Sequence, residues 1–153
     1  MTARPTARKR ARPASKPAGK GVVLLVEDEP LLVEMYSTVL KKLKGFTVMT
    51  AREEQTALEA IGAHHPALVL LDLMIPSSAK RVESDYHEPV GLNVLKKIKS
   101  SPVTKRTKVV ILSNLDADEH RLRAEQLGAD AYIVKAMVPP EELLRRVAAL
   151  IQA

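Results

Sequence analysis

Short, unbroken apolar runs alternate along the chain with stretches whose apolar residues recur every three or four positions. The runs are VVLLV at 22–26, LVLL at 68–71, VVIL at 109–112 and AYIV at 131–134. Hydrophobicity that is continuous rather than alternating marks strands covered on both faces, as in a parallel sheet. Phe46 and Val48 instead alternate with Thr47, which predicts a more exposed edge strand. Between the first two strands, Leu32, Met35, Val39 and Leu43 keep helical spacing and stop at Gly45, a C-terminal cap signal. The same reading predicts helices over 53–63, 92–99, 118–127 and 141–151. Asp116 with Glu119 reads as a capping box, Gly128 as a stop and Pro139-Pro140 as a helix entrance. Strands and helices in strict alternation predict a doubly wound α/β fold around a parallel sheet. The irregular stretch from Ser77 to Val90 is long for such a fold, where connections usually take roughly 2 to 6 residues.

Composition narrows the function classes. A length of 153 residues suits one domain, since single cores run to roughly 100 to 200 residues. With 46% hydrophobic and 27% charged residues the chain is not wholly disordered. No apolar run approaches the roughly 18 residues that span a bilayer, so no membrane association is expected and the expected location is the cytoplasm. The absence of cysteine excludes disulfides, thiolate metal sites and a cysteine nucleophile. The aromatics Tyr36, Phe46, Tyr86 and Tyr132 are too few for a base-stacking platform.

The net charge of +6 divides unevenly: residues 1–20 carry seven basic side chains and no acid, leaving the other 133 residues with 17 basic and 18 acidic ones. The basic character therefore belongs to a tail. Pro5, Pro13 and Pro17 and the lack of apolar periodicity predict disorder over 1–20, with a folded domain over 21–153. A solvated terminus is the plainest reading of that tail. Weak contact with nucleic acid or acidic partners is a second, and an organellar transit sequence, which the prolines disfavour, a third.

In open α/β sheets ligands bind beyond the carboxyl ends of the strands. Those positions hold Glu27 and Asp28 after the first strand, Asp72 after the third, Ser113 at the end of the fourth and Lys135 after the fifth. Two unit charges ~4 Å apart repel by about 4 kcal/mol at an effective dielectric near 20, so three carboxylates in one cleft need cations between them. Lys135 supplies one. A hard divalent ion such as Mg²⁺, which takes carboxylate oxygens and shares oxygens with phosphate, supplies the rest. A carboxylate in such a pocket can itself be the nucleophile of phosphoryl transfer.

With VLLVEDEP, LVLLDLMIP, VVILSN and GADAYIVK at successive strands, residues 21–153 resemble the receiver domain of two-component response regulators, a flavodoxin-like fold of strand order 2-1-3-4-5. The resemblance implies that Asp72 accepts a phosphoryl group from a histidine kinase or phosphotransfer protein, in a self-catalysed uptake rather than as an enzyme. Asp28, Asp72 and the backbone carbonyl of Met74 would hold Mg²⁺, with Glu27 engaging it through water. Lys135 would pair with Asp72 and then with the phosphoryl oxygens. Ser113 would be the switch hydroxyl and Tyr132 the aromatic whose rotamer follows it. Met74 and Leu115, both apolar, would flank the path of the hydrolytic water and make phosphoryl loss slow. The last helix reaches the end of this sequence, so the expectation is a stand-alone receiver. It would signal to a downstream protein through the face of the fourth helix, fifth strand and fifth helix.

Some positions depart from the family pattern. Ala136 stands where a proline usually follows the lysine, so the cis peptide seen there in the family is not expected. Asn114 replaces a small residue. The loop after Pro76 is extended, and its Arg81, Glu83, Asp85, Tyr86, His87 and Glu88 read as a passive insertion or, alternatively, as a partner contact or a shield. His64, His65, His87 and His120 read as scattered surface residues, and Lys96, Lys97 and Lys99 as a solvated face. Gly19-Lys20-Gly21 precedes its strand and lacks a third glycine, so it is no dinucleotide loop. An aspartate-nucleophile phosphohydrolase would need an aspartate where Met74 stands. The alternative outside phosphotransfer is a nonphosphorylated scaffold or nucleic-acid-associated protein acting through the basic tail.

Overall fold

The structure is a computed structural model that describes residues 19–77 and 88–152. Most of the basic tail and loop residues Arg81, Glu83, Asp85, Tyr86 and His87 lie outside the described residues. Lys20 is an exception: its amide donates to the carbonyl of Gly45 at 2.5 Å, so the chain is already set against the fold before Gly21.

Five strands, β1 (Gly21–Val26), β2 (Phe46–Ala51), β3 (Leu68–Leu71), β4 (Lys108–Ser113) and β5 (Ala131–Val134), alternate with α1 (Pro30–Leu40), α2 (Glu54–His64), α3 (Val90–Ser100), α4 (Asp118–Gln126) and α5 (Pro140–Gln152). The sheet is parallel, in the order β2-β1-β3-β4-β5, as the resemblance implied. Side chains alternate across each strand, which divides the apolar runs between two cores. Leu24, Val26, Val69, Leu71, Val109 and Ile111 pack under α2, α3 and α4. Val23, Leu25, Leu68, Leu70, Val110 and Leu112 pack under α1 and α5. The runs are unbroken because every strand residue has a helix above or below it. The edge strand β2 is the exception, with Thr47 exposed between the half-buried Phe46 and Val48.

The end of α1 and the cap of α4 differ from the sequence reading, while the other helix ends fall within two residues of it. Helix α1 starts at Pro30 behind Glu29, whose side chain accepts from the Leu31 amide at 3.3 Å, and it stops at Leu40 instead of running on to Leu43. Residues 41–45 turn the chain, and Gly45 takes φ +84. The capping box of Asp116 and Glu119 does not form. Ala117 is extended and caps α4 without a side-chain bond, so Glu119 is the second helical residue and not the third. Asp118 and Glu119 act instead through charge at the positive end of the helix. No helix among the described residues is long and apolar enough to cross a membrane.

Candidate functional site

The parallel register brings the carboxyl ends of β1, β3, β4 and β5 to one edge: Val26 is level with Leu71, Leu71 with Ile111, and Ser113 with Val134. The residues that follow β1, β3 and β5, namely Glu27, Asp72 and Lys135, then meet at this edge, where β4 ends in Ser113. Glu27 and Asp72 are buried, at 1% and 5% exposure, and Asp28 is the most exposed of the three acids. Their carboxylates each place an oxygen within 4.8 Å of the others.

Lys135 bridges the acids. Its Nζ donates to Asp72 Oδ2 at 2.7 Å and also to Glu27 Oε2, with the lysine side chain 8% exposed. The remaining oxygens are held by backbone amides, Glu27 Oε1 by that of Glu29 at 3.1 Å and Asp72 Oδ1 by that of Met74 at 3.0 Å. Burial pushes the Glu27 carboxyl above the usual range; its bond to Lys135 opposes this and the charge of Asp72 adds to it. Burial alone would lower the Lys135 ammonium, but the bonds to Asp72 and Glu27 and their negative charge win and raise it. Lys135 is therefore a fixed cation, and the cluster still holds an excess of negative charge in oxygen donors. That donor set fits a hard divalent ion and not a soft one.

Ser113 is fully buried, and its Oγ accepts from the Leu115 amide at 3.3 Å. The Tyr132 hydroxyl donates to the carbonyl of the same Leu115, and the guanidinium of Arg121 lies 4.9 Å from the centre of its ring. The loop from Ser113 to Leu115 is thus tied to Tyr132. Met74, exposed, and Leu115, half-buried, line a cleft of about 580 Å³ together with Asp28. A larger groove of about 1190 Å³ runs between residues 42–46 and α5 and includes none of the expected site residues.

Sequence reasoning missed several residues. His120, read as an isolated surface histidine, lines the same cleft together with Glu88. Tyr36 of α1 is buried close enough to feel the charges of Lys135, Glu27 and Asp72, and burial raises its phenol. Gly91 at the start of α3 lies against the loop after β3: a Cβ there would meet the Asp72 carbonyl oxygen at 2.4 Å and Leu73 Cα at 2.5 Å. Its amide donates to the Leu73 carbonyl at 2.9 Å. The lysine loop also has its own form. Lys135–Met137 make a 3₁₀ turn with no cis peptide bond, and the Ala136 amide donates to Asn114 Oδ1 at 3.0 Å.

Comparison with known proteins agrees with this geometry. The phosphate regulon transcriptional regulatory protein PhoB of Escherichia coli (strain K12) is 32% identical over 130 residues, covering 85% of this chain and 51% of that protein. The probable transcriptional regulatory protein TcrX of Mycobacterium tuberculosis is 33% identical over 123 residues, covering 80% and 47%. The chain thus spans about half the length of these curated relatives. Among solved structures, the BeF3-activated N-terminal receiver domain of Klebsiella pneumoniae RstA superposes with a TM-score of 0.70 at 26% identity, over 86% of this chain and 99% of that one. The Mn²⁺-bound form of the response regulator Rcp1 shares the fold, with a TM-score of 0.64 at 24% identity over 87% and 90%. A family model described as the response regulator receiver domain matches residues 23–148, and with the acids, hydroxyl and lysine gathered at one sheet edge, the chain belongs to that family.

Proposed function

We propose that Asp72 is the phosphoacceptor of a two-component phosphorelay and that this chain signals by the change in shape that phosphorylation drives. The observation that carries the reading is the buried contact of Lys135 with Asp72 inside a cluster of three carboxylates. One Asp72 oxygen attacks phosphorus in line. The bond from phosphorus to the imidazole nitrogen of the donor histidine breaks as the new P–O bond forms. Lys135, a cation held in place by Glu27, neutralises charge on the transferred group. Asp28, Asp72 and the carbonyl of Met74, with Glu27 acting through water, would hold Mg²⁺, which would supply the remaining positive charge. The histidine donor comes from a kinase or phosphotransfer protein. Uptake is self-catalysed, so the chain is a phosphoacceptor and not a turnover enzyme.

Phosphorylation adds roughly −2 charge to the cleft. Ser113 then leaves its resting position for the phosphoryl oxygens, and Tyr132, bonded to the same loop, follows. The shift alters the face of α4, β5 and α5, which is the proposed surface for a downstream protein.

With a small phosphodonor and Mg²⁺, the protein should gain the mass of one phosphoryl group, and Asp72→Asn should gain none. Undiminished labelling of Asp72→Asn overturns the assignment. The apolar mouth formed by Met74 and Leu115 offers no acceptor to align the hydrolytic water. Met74→Asn combined with Leu115→Glu should therefore lose the group about tenfold faster once the donor is removed. Equal decay in the double variant would show that these side chains do not set the lifetime.

A further inference from the structure

The two departures from the family pattern beside the cleft, Asn114 and Ala136, meet in space. The Ala136 amide donates to Asn114 Oδ1 at 3.0 Å although the residues are 22 apart in the chain. Each sits next to a residue of the proposed chemistry, Asn114 after Ser113 and Ala136 after Lys135. Because Ser113 is level with Val134 across β4 and β5, the two loops leave the sheet side by side, and the bond closes the gap between them.

Proline at 136 would have no N–H to give. It would also drive the preceding residue away from helical backbone, whereas Lys135 opens a 3₁₀ turn here. Alanine therefore provides both the donor and the turn that aims it, and asparagine provides the acceptor. The two substitutions make one device.

We propose that Asn114 is a positioning residue whose side chain clasps the Ser113 loop to the Lys135 loop in the resting state and raises the threshold for switching. The proposal rests on the reading of Asp72 as phosphoacceptor. At rest, Ser113 Oγ is occupied by the Leu115 amide at 3.3 Å. Moving Ser113 toward a phosphoryl group displaces Asn114 with it, while Ala136 stays with β5 and Lys135. The clasp must then stretch or break. One net hydrogen bond of this kind is worth a factor of about three in an equilibrium, so its loss should ease switching by that amount.

Two measurements test this. The first is amide exchange at Ala136 in the unphosphorylated protein. Exchange should speed up in Asn114→Ala and return toward the wild-type rate in Asn114→Asp, which keeps an acceptor oxygen. The second is affinity for beryllofluoride with Mg²⁺, a phosphoryl mimic. Asn114→Ala should bind about threefold more tightly, and the same substitution in an Ala136→Pro background should add nothing, since the donor is already gone. If Ala136→Pro does not fold, the exchange and affinity of the Asn114 variants decide. Unchanged Ala136 exchange in Asn114→Ala, or an affinity of Asn114→Ala equal to that of a wild type that does bind the mimic, overturns the clasp. A wild type that binds no mimic at all sinks the phosphoacceptor reading, and the clasp's role in switching falls with it.

Discussion

Helices α3 and α4 are consecutive on the same face of the sheet, yet they are held by different physics. α3 buries Gly91, Leu92, Val94, Leu95 and Ile98. α4, with the sequence DEHRLRAEQ, buries Ala124 alone and leaves Leu122 57% exposed. A fully buried leucine contributes about 1.5 to 3 kcal/mol, so α3 is anchored many times over. What holds α4 is polar and partly solvated: Arg123 pairs with Glu88 at 2.6 Å, and Arg121 lies over Tyr132. Exposed ion pairs contribute about 0.2 to 1 kcal/mol. The sheet edge that carries Asp72 is thus backed by a fixed helix, and the loop that follows Ser113 leads into a helix that little restrains. Segments that move in signalling come from the weakly held part of a structure, and α4 has that character.

The sharpest way to break this contrast is truncation in both helices. Leu95→Ala in α3 should cost about 2 to 5 kcal/mol, measured by urea unfolding. Leu122→Ala in α4 should stay within about 0.5 kcal/mol of wild type. Similar costs would mean that α4 is packed after all.

Gly91 sharpens the contrast on the α3 side, because what its added Cβ would strike is backbone and not a yielding side chain. Gly91→Ala should cost about 1 to 3 kcal/mol. Because the atoms displaced belong to Asp72 and Leu73, phosphoryl uptake should slow as well. A variant as stable and as readily phosphorylated as wild type would show that the loop of Asp72 and Leu73 yields without penalty.

The contrast also marks what was legible in the sequence. Strands with helices on both sides wrote themselves as unbroken apolar runs, and the expected limits of β3 and β5 coincide with the observed ones. α4 has no such stripe. The sequence marks it only by the Gly128 stop and by a capping box that Asp116 does not make, because residue 117 stays extended. The acids and the lysine were readable because a parallel sheet fixes where its strand ends converge. Gly91, Tyr36 and Arg121 were not, since each acts on a segment distant in sequence. Asn114 and Ala136 were each noticed as departures, but only the register of β4 against β5 makes them partners.

The smallest expected effect concerns the contact of Arg121 with Tyr132. A guanidinium within ~6 Å of a ring centre is attracted to it, by about 0.5 to 1 kcal/mol when partly exposed. Arg121→Ala should destabilise the protein by that amount at neutral pH. The phenol adds a pH signature. Burial raises Tyr132 above its ordinary value of 10.0, and the charge of Arg121 pulls it back. A group raised in the folded state contributes stability that is complete below its unfolded value and is lost as pH rises through its folded value. Without Arg121 the folded value moves higher still, because the phenolate loses its nearby cation. The stability gap between wild type and Arg121→Ala should therefore widen as pH passes above 10.0, in urea unfolding at matched pH values. Lys135 also titrates at alkaline pH, but it does so in both proteins and cancels in the difference. Repeating the pair in a Tyr132→Phe background removes the titrating group, and the widening should disappear while most of the neutral-pH cost remains. A gap that stays constant with pH in the tyrosine background would mean that Arg121 does not act on the ring, leaving α4 with even less to hold it.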